Sequence, residues 1–334
     1  TSSIAMRRAE LSVVIAAISC SLLSGCSLLE LAAGQLELIN DQVPLARAIE
    51  QERDPERRML LSEVPSILAF AEEIVGLHVG RSYSGYFATE RRGLTYVVTA
   101  CAQTEFTPYS WWFPIVGTVE YRSYWDEADA RAEGEALEAQ GDDVWVSPSR
   151  AYSSLGILRD PISTTMMHDG LPAFVEVLIH ELSHAKMYVP GHTDWNEALA
   201  SFVGERGAER YFEGERFART GLPERVRQHA QDRALFDRAV AESYDKLDAL
   251  YASAVPRAQK LREREQTFAA LTERIRVLFP REDPSQWQIN NARLVHFHRY
   301  NANSDVLRSL WNESHQDFRR FWLLAEAYAH KQFG

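Results

Sequence analysis

The chain has 334 residues, of which 46% are hydrophobic and 25% are charged. This composition excludes collagen-like, low-complexity and wholly disordered proteins. A globular chain of this length buries roughly three quarters of the surface of its unfolded form, so folding requires no disulfide or metal ion. The formal net charge of −11 argues against nucleic acid or anionic lipid headgroups as the main partner.

The first residues have the pattern of a lipoprotein signal peptide. Arg7 and Arg8 precede an apolar run over residues 11–23, which is short for a membrane span and suits a secretory signal. The run leads into Leu-Ser-Gly-Cys at Cys26, which resembles the lipobox of bacterial lipoproteins. We therefore expect cleavage of residues 1–25 and a lipid on Cys26 that attaches the protein to a membrane. The alternative is an ordinary apolar first helix.

The cysteines agree with this prediction. Cys20 would leave with the signal peptide and Cys26 would carry the lipid, so Cys101 has no partner for a disulfide. Ser27 follows the lipid-bearing position, and in the lipoproteins that this segment resembles, Ser rather than Asp there indicates the outer membrane. The expected location is the bacterial cell envelope, at the outer membrane facing the periplasm.

The first half of the mature chain predicts helices followed by a small β-rich region. Residues 36–77 have a helical pattern that suggests two helices, the second beginning at Asp54-Pro55 and kinked at Pro65. Short β-branched stretches predict strands, and the Ala- and Glu-rich segment at 127–139 predicts a helix between the last two of them. This order gives a β-α-β crossover. The predicted strands are 94–101, 116–121 and 143–146.

The second half reads as almost wholly helical. A helix over residues 171–188 ends at Pro190-Gly191, and Thr193 or Asp194 can cap a following helix that extends toward Phe212. A long antiparallel helical hairpin with a break near Pro256 follows.

The fold class is therefore α+β and predominantly helical. We expect a single domain over residues 26–334, with a lobe of helices and strands at about 36–165 and a helical lobe at about 166–334. Long C-terminal helices form the hairpin of the second lobe.

A motif with chemical meaning lies inside the first of the two helices after Gly170. Residues 180–184 read His-Glu-Leu-Ser-His. Side chains four apart on a helix differ in direction by about 40°, so His180 and His184 can bind one metal ion. Glu181 lies beside their face, where it can act as general base on a metal-held water without being a ligand.

A catalytic metal site of this kind needs a third protein ligand. Glu197, near the start of the next helix, is the candidate. The alternative is a capping box, in which Asp194 and Glu197 satisfy backbone amides. Glu205 is an alternative ligand or a hydrogen-bonding partner of a ligand histidine. His168 and His192 flank the motif, but lone loop histidines are more often surface groups.

Three further sets of residues are candidates for the rest of the site. Tyr188, Tyr152 and Tyr300 can donate a hydrogen bond to a tetrahedral oxyanion, although such tyrosines are more often core residues. Glu205 and Glu176 are further carboxylates that can bind a cationic group of a substrate. Residues 83–87 and Trp111-Trp112 can supply a cleft wall and a strand edge that pairs with substrate.

Several stretches together resemble a family of bacterial lipoproteins described as putative aminopeptidases. The resemblance covers nearly the whole mature chain. At 121–125 this chain has Ser and Trp where the family pattern leads us to expect Gly and Phe, a departure in the cleft wall. The stretches are Tyr-Arg-Ser-Tyr-Trp at 121–125, Ala-Tyr-Ser-Ser-Leu-Gly at 151–156, Asp-Pro at 160–161, residues 180–184, residues 196–205, and Asn-Asn-Ala-Arg-Leu at 290–294.

The resemblance implies a zinc-dependent metallopeptidase of the glutamate-zincin type. His180, His184 and Glu197 would be the metal ligands and Glu181 the catalytic base. The expected substrate is a peptide, hydrolysed from its N-terminus. Two alternatives stay open: an endopeptidase of envelope protein quality control, and a non-catalytic lipoprotein scaffold with a structural or vestigial metal site. Manganese or cobalt would also suit two imidazoles and a carboxylate.

Overall fold

A computed structural model describes residues 26–113, 117–151, 159–280, 287–301 and 303–334. The chain is mostly helical with small sheets, which confirms the α+β class. The predicted signal peptide at 1–25 lies outside the described residues. Within the described ranges, no helix is long and apolar enough to cross a membrane.

The N-terminal helical region contains three helices instead of the predicted two. They are α1 (Cys26–Asp41), α2 (Leu45–Gln51) and α3 (Pro55–Phe70), and a π-helical turn (Ala71–Val75) extends α3. The short strand β1 (Val43–Pro44) separates α1 from α2. Asp54 caps α3 through the amides of Glu56 and Arg57, and α3 continues through Pro65.

The strands are short and form three small sheets. β2 pairs with β1 and β8, β6 and β7 flank β3, and β4 pairs with β5 in a hairpin. The prediction at 116–121 is wrong in detail, because β5 ends at Val119 and the chain then turns into β6. The strand bounds are β2 (Gly85–Phe87), β3 (Thr95–Ala102), β4 (Trp111–Phe113), β5 (Gly117–Val119), β6 (Arg122–Tyr124), β7 (Asp142–Ser149) and β8 (Ile162–Ser163).

The predicted crossover is present, with β3 between the two strands that it joins. Helix α4 (Glu127–Ala139) connects β6 to β7, and both strands are antiparallel to β3. Apolar residues of α4, β3 and β7 form a separate hydrophobic cluster that includes Leu137, Val98 and Val144. The helix therefore covers one face of the sheet.

The C-terminal half is helical, as predicted. Its main core is shared by α2, α3 and five later helices, and a second core joins the long hairpin to the helix that follows it. The helices are α5 (Gly170–Lys186), α6 (Thr193–Phe212), α7 (Leu222–Ala252), α8 (Arg257–Leu278), α9 (Asn291–Asn301), α10 (Ser304–Glu313) and α11 (Phe318–Phe333). α7 and α8 form the hairpin, with Pro256 at its break.

Two glycines allow α5 and α6 to pack unusually closely. A Cβ atom on Gly204 would lie 2.9 Å from the carbonyl oxygen of Glu176, and one on Gly207 would lie 2.7 Å from Cδ1 of Ile179. Glycine inside a helix costs roughly 0.5–1 kcal/mol relative to alanine. Gly204 therefore sits where α6 approaches the backbone of α5, and Gly207 leaves room for the side chain of Ile179. This approach carries α6 across the His-Glu-x-x-His face of α5.

A buried polar network joins the sheet to α8 and α9. Arg264 donates two hydrogen bonds to the carboxylate of Asp143, at 2.8 and 3.2 Å, and both side chains are less than 10% exposed. The amide of Asn291 donates to the same carboxylate at 2.9 Å, and its side chain donates to the carbonyl oxygen of Ala102. Asn291 also accepts a hydrogen bond from Tyr251. The network fixes the beginning of α9 against β3 and β7.

We predict that Asp143→Ala lowers the free energy of unfolding by about 3–5 kcal/mol, because it leaves the charge of Arg264 buried without its partner. Urea denaturation measures the loss. Glu265→Ala is the matched control, since Glu265 pairs with the same arginine but is 64% exposed, and it should cost less than about 1 kcal/mol. Equal losses in the two variants would contradict this account of the network.

Candidate metal centre

Three side chains converge between α5 and α6. Nε2 of His180 lies 3.1 Å from Nε2 of His184, and the carboxylate oxygens of Glu197 lie 3.6 and 3.9 Å from these two nitrogens. All the candidate ligand atoms lie within 4.8 Å of one another. Among the described residues, this is the group of three His, Cys, Asp or Glu side chains that could hold a metal ion.

The spacing of these atoms fits a small divalent cation. Ligand atoms at about 2.0–2.1 Å from a tetrahedral zinc ion are separated by about 3.3 Å, which falls within the observed 3.1–3.9 Å. Two imidazoles and one carboxylate are also the donor set found in several catalytic zinc sites. The residues therefore fit a metal ion, with three protein ligands and room for one further ligand.

Local contacts hold the ligands in place. Nδ1 of His180 is 3.3 Å from the hydroxyl of Ser201, so Nε2 is the nitrogen directed at the other two ligands. The buried side chain of Asn196 makes hydrogen bonds with both the amide and the carbonyl of Val189, at 2.8 and 2.9 Å. These bonds fix the turn between the helices, immediately before Glu197. The turn itself requires Gly191, whose φ of 79° is left-handed.

The capping-box alternative for Glu197 is wrong. The N-cap residue of α6 is His192, and its side chain makes no capping hydrogen bond. Asp194 instead forms an ion pair with Arg299 at 3.1 Å. Glu197 is thereby left to face the histidines of α5.

The two candidate histidine ligands and the neighbouring Glu181 have shifted pKa values. Burial and the charge of His180 lower the pKa of His184 to about 4, so His184 is neutral at pH 7 and able to bind a metal. Burial lowers the pKa of His180, but Glu197 and Glu181 outweigh this effect and raise it overall. Burial, with the charges of Glu197 and Asp160, raises the pKa of Glu181 to about 7.

The three candidate ligands and Glu181 line one cleft of about 360 Å³. Part of its wall comes from the ends of β3, β6 and β7. The proposed wall at 83–87 and Trp111-Trp112 does not line it: Tyr83 and Phe87 are buried, and Trp111 donates to Glu133. The strand residues that line the cleft are Thr95, Val97, Ser123 and Ser149.

Tyr121, His296 and Arg299 also line this cleft. Tyr121 belongs to the stretch 121–125 that was expected in the cleft wall, whereas no role in the site was predicted for His296 or Arg299. Burial lowers the pKa of His296 to about 3, and burial raises the pKa of Tyr121. His296 and Arg299 are three residues apart on α9, so they share one helix face. The spacing of three residues on a helix that begins at Asn291 indicates only that the two side chains share a face. No local sequence pattern connects that helix to the His-Glu-x-x-His motif.

The predicted oxyanion donors differ in position. Tyr188 lines the cleft and is 49% exposed. Tyr300 lies on α9, but its side chain is outside the described residues, as is all of Tyr152. His168 is exposed, and His192 packs on the ring of Phe333.

Glu205 lies outside the ligand triad, in a second charged cluster. Burial and the charge of Glu205 raise the pKa of Glu176 to about 7. Arg206 pairs with Glu209 at 2.6 Å and with Glu205 at 3.8 Å. The cluster lies where α5 and α6 approach α7. Besides Glu205, the charged groups that act on Glu176 are Arg233, His180, Glu209 and Arg150.

The chain matches the family described as "Putative aminopeptidase" over residues 27–332. It belongs to this family. No curated protein and no solved structure matches the chain.

The family membership confirms the resemblance to putative aminopeptidases drawn from the sequence. The structure gives each of three resembling stretches a distinct position. Residues 196–205 carry Glu197 and the close-packed Gly204, residues 290–294 attach α9 to the sheet, and residues 121–125 contribute to the cleft. The Ser that departs from the expected family pattern is Ser123, which lines the cleft wall.

We predict that Glu176 makes the metal-free protein less stable as pH rises from about 5 to 7.5. Its pKa is raised from 4.5 in the unfolded chain to about 7 in the folded chain. Between these two pH values the folded state therefore binds more protons than the unfolded state. The resulting contribution to the free energy of unfolding is complete below pH 4.5 and is lost as pH rises through 7. Glu176→Gln should reduce the fall in the free energy of unfolding between pH 5 and 7.5 by about 2 kcal/mol. Urea denaturation after chelation of metal ions measures this change.

Glu138→Gln, on the exposed face of α4, is the control for this pH series. Its curve should follow that of the unchanged protein. If the Glu176→Gln curve also runs parallel to it across the whole range, Glu176 does not bind the extra proton.

Proposed function

We propose that the protein is a zinc-dependent peptidase that removes residues from the N-termini of peptides. The observation that carries the proposal is the convergence of His180, His184 and Glu197 beside Glu181 in one cleft. Membership of a family named for aminopeptidases favours a peptide substrate with a free N-terminus. We infer the glutamate-zincin type from the two histidines and one glutamate of the candidate site and from the position of Glu197 on α6.

The metal ion would be held by Nε2 of both histidines and by the carboxylate of Glu197. When bound, it would polarise the scissile carbonyl and lower the pKa of water toward about 7. Zinc is favoured because it prefers few ligands of this mixed nitrogen and oxygen type.

The protein's own residues would carry the proton transfers. Glu181 is adjacent to the ligands without belonging to the triad, so its carboxylate can take a proton from the attacking water and deliver it to the leaving amine. Tyr188 would donate a hydrogen bond to the oxyanion from the rim of the cleft, and Tyr300 is the second candidate. The wall formed by β3, β6 and β7 would align an extended peptide and exclude water.

We predict that Glu181→Gln keeps about one zinc ion per chain and lowers the rate of peptide hydrolysis at least about 100-fold, because the general base is lost. Elemental analysis measures the metal in the protein expressed from residue 27, without the lipid-bearing cysteine. Glu197→Ala should lose the metal. Glu205→Ala, on the same helix, is the matched control and should retain it.

Two results would contradict the proposed chemistry. Wild-type turnover in Glu181→Gln would overturn the role of Glu181, and a protein that takes up no zinc in any variant would overturn the metal site. An N-acetylated peptide separates the two peptidase types, because an aminopeptidase leaves it intact and an endopeptidase cleaves it.

We also propose that the protein is anchored in the bacterial envelope by a lipid on Cys26. The support is the signal-like segment ending at Leu-Ser-Gly-Cys. Among the described residues that line the cleft, none belongs to α1, so the anchor and the peptidase chemistry can be tested separately.

We predict that the protein expressed with residues 1–25 partitions into the detergent phase and sediments with membranes. Cys26→Ala should move it to the aqueous phase, because the acylated thiol is lost. Cys20→Ala is the control and should leave the partition unchanged. Membrane association that survives Cys26→Ala would overturn the lipid anchor.

A further inference from the structure

One charged side chain that lines the cleft has no role in the proposed chemistry. Two carboxylates face it, Glu197 and Glu181, and the proposed function uses the first as ligand and the second as base. Among the described lining residues, Arg299 is the one with a permanent positive charge. An extended peptide in this cleft therefore meets a guanidinium that the proposed chemistry does not use.

Arg299 is held rigidly. Its side chain is only 5% exposed, Nε donates to Asp194 at 3.1 Å, and Nη2 donates to Glu120 at 3.2 Å. The guanidinium also lies 5.5 Å from the ring centre of Tyr121. These contacts fix the plane of the group, which carries five N–H donors in a fixed geometry. A guanidinium fixed in this way loses little entropy when it binds a ligand.

One partner of Arg299, Asp194, lies on the same helix as Glu197. Asp194 precedes Glu197 by three residues on α6, so the two carboxylates share one face of that helix. His296 shares a face of α9 with Arg299 and lines the same cleft. Arg299 is therefore attached to the helix that carries the third ligand.

The two carboxylates do not cancel the attraction of Arg299 for an anion. Asp194 and Glu120 are 53% and 52% exposed, so water screens their charges. The side chain of Arg299 itself is only 5% exposed. Its interaction with a ligand that enters the cleft is screened less.

We propose that Arg299 binds a carboxylate of the peptide substrate, which makes the cleft selective for peptides that carry a negative charge near the cleaved bond. This inference rests on the proposed function. The carboxylate has two possible sources: the C-terminal α-carboxylate of a short peptide, or the side chain of an Asp or Glu residue. A charged hydrogen bond of this type favours the carboxylate peptide about tenfold over its neutral counterpart.

Calorimetry on the zinc-loaded Glu181→Gln protein tests the inference without turnover. The first peptide pair is Ala-Ala-Ala-Ala with a free C-terminus and the same peptide as its amide. The second pair is Ala-Glu-Ala-Ala amide and Ala-Gln-Ala-Ala amide. At least one carboxylate peptide should bind about tenfold more tightly than its neutral partner, and the pair that shows the preference identifies the source.

The same ratio is then measured with Arg299→Gln and Arg299→Lys added. Arg299→Gln should abolish the preference, and Arg299→Lys should retain part of it, because lysine keeps the charge but loses the planar fork. Arg206→Gln is the matched control, since Arg206 also pairs with two carboxylates but does not line the cleft. It should leave the ratio unchanged. The ratio is independent of the fraction of correctly folded protein.

Three results would overturn the inference: no binding of any of the four peptides, equal binding within both pairs, or a preference that survives Arg299→Gln. The proposed function has a separate readout. Hydrolysis of Ala-Ala-Ala-Ala amide by the unchanged protein tests the peptidase activity with a peptide that lacks any carboxylate. Hydrolysis without a charge preference would refute the anion subsite alone.

Discussion

The close approach of α5 and α6 is the constraint on which the candidate site depends. Gly204 and Gly207 remove the side chains that would hold the two backbones apart. Because the helices pack this tightly, a carboxylate at Glu197 reaches the nitrogens of two histidines one turn apart. Any side chain at Gly204 would press on the backbone of α5 directly below His180, so packing and ligand geometry cannot vary independently.

The rest of the cleft is assembled by contacts far apart in the sequence. Asp143 connects the end of one strand to Arg264 on the hairpin and to the first turn of α9. That helix then carries His296 and Arg299 into the cleft. The buried ion pair is specific because removing either partner leaves a charge without compensation. It therefore determines where α9 begins, and so which of its side chains face the candidate metal centre.

The difference between these two sets of contacts explains what the sequence could predict. His180, His184 and Glu197 lie within 18 residues on two helices joined by a short turn, so helical periodicity and turn signals were sufficient. Arg299 reaches the cleft only through the hairpin and the sheet, and no local pattern carries that information. The failed expectations have the same cause: Asp194 forms a long-range ion pair in place of a helix cap, and the cleft wall comes from β3, β6 and β7.

The accumulation of carboxylates around α5 also has an energetic consequence. Glu181 and Glu197 lie beside one another at the histidines, and their mutual repulsion adds to the effect of burial in raising the pKa of Glu181. A divalent cation between the ligands would relieve this repulsion and bind only the folded chain. Metal binding and folding stability would then be coupled. Negative charge that weakens the empty fold is thus the same charge that attracts the ion. The buried His184, whose pKa is lowered to about 4, offers a neutral imidazole at pH 7, whereas the raised pKa of His180 makes metal binding compete with a proton at that ring.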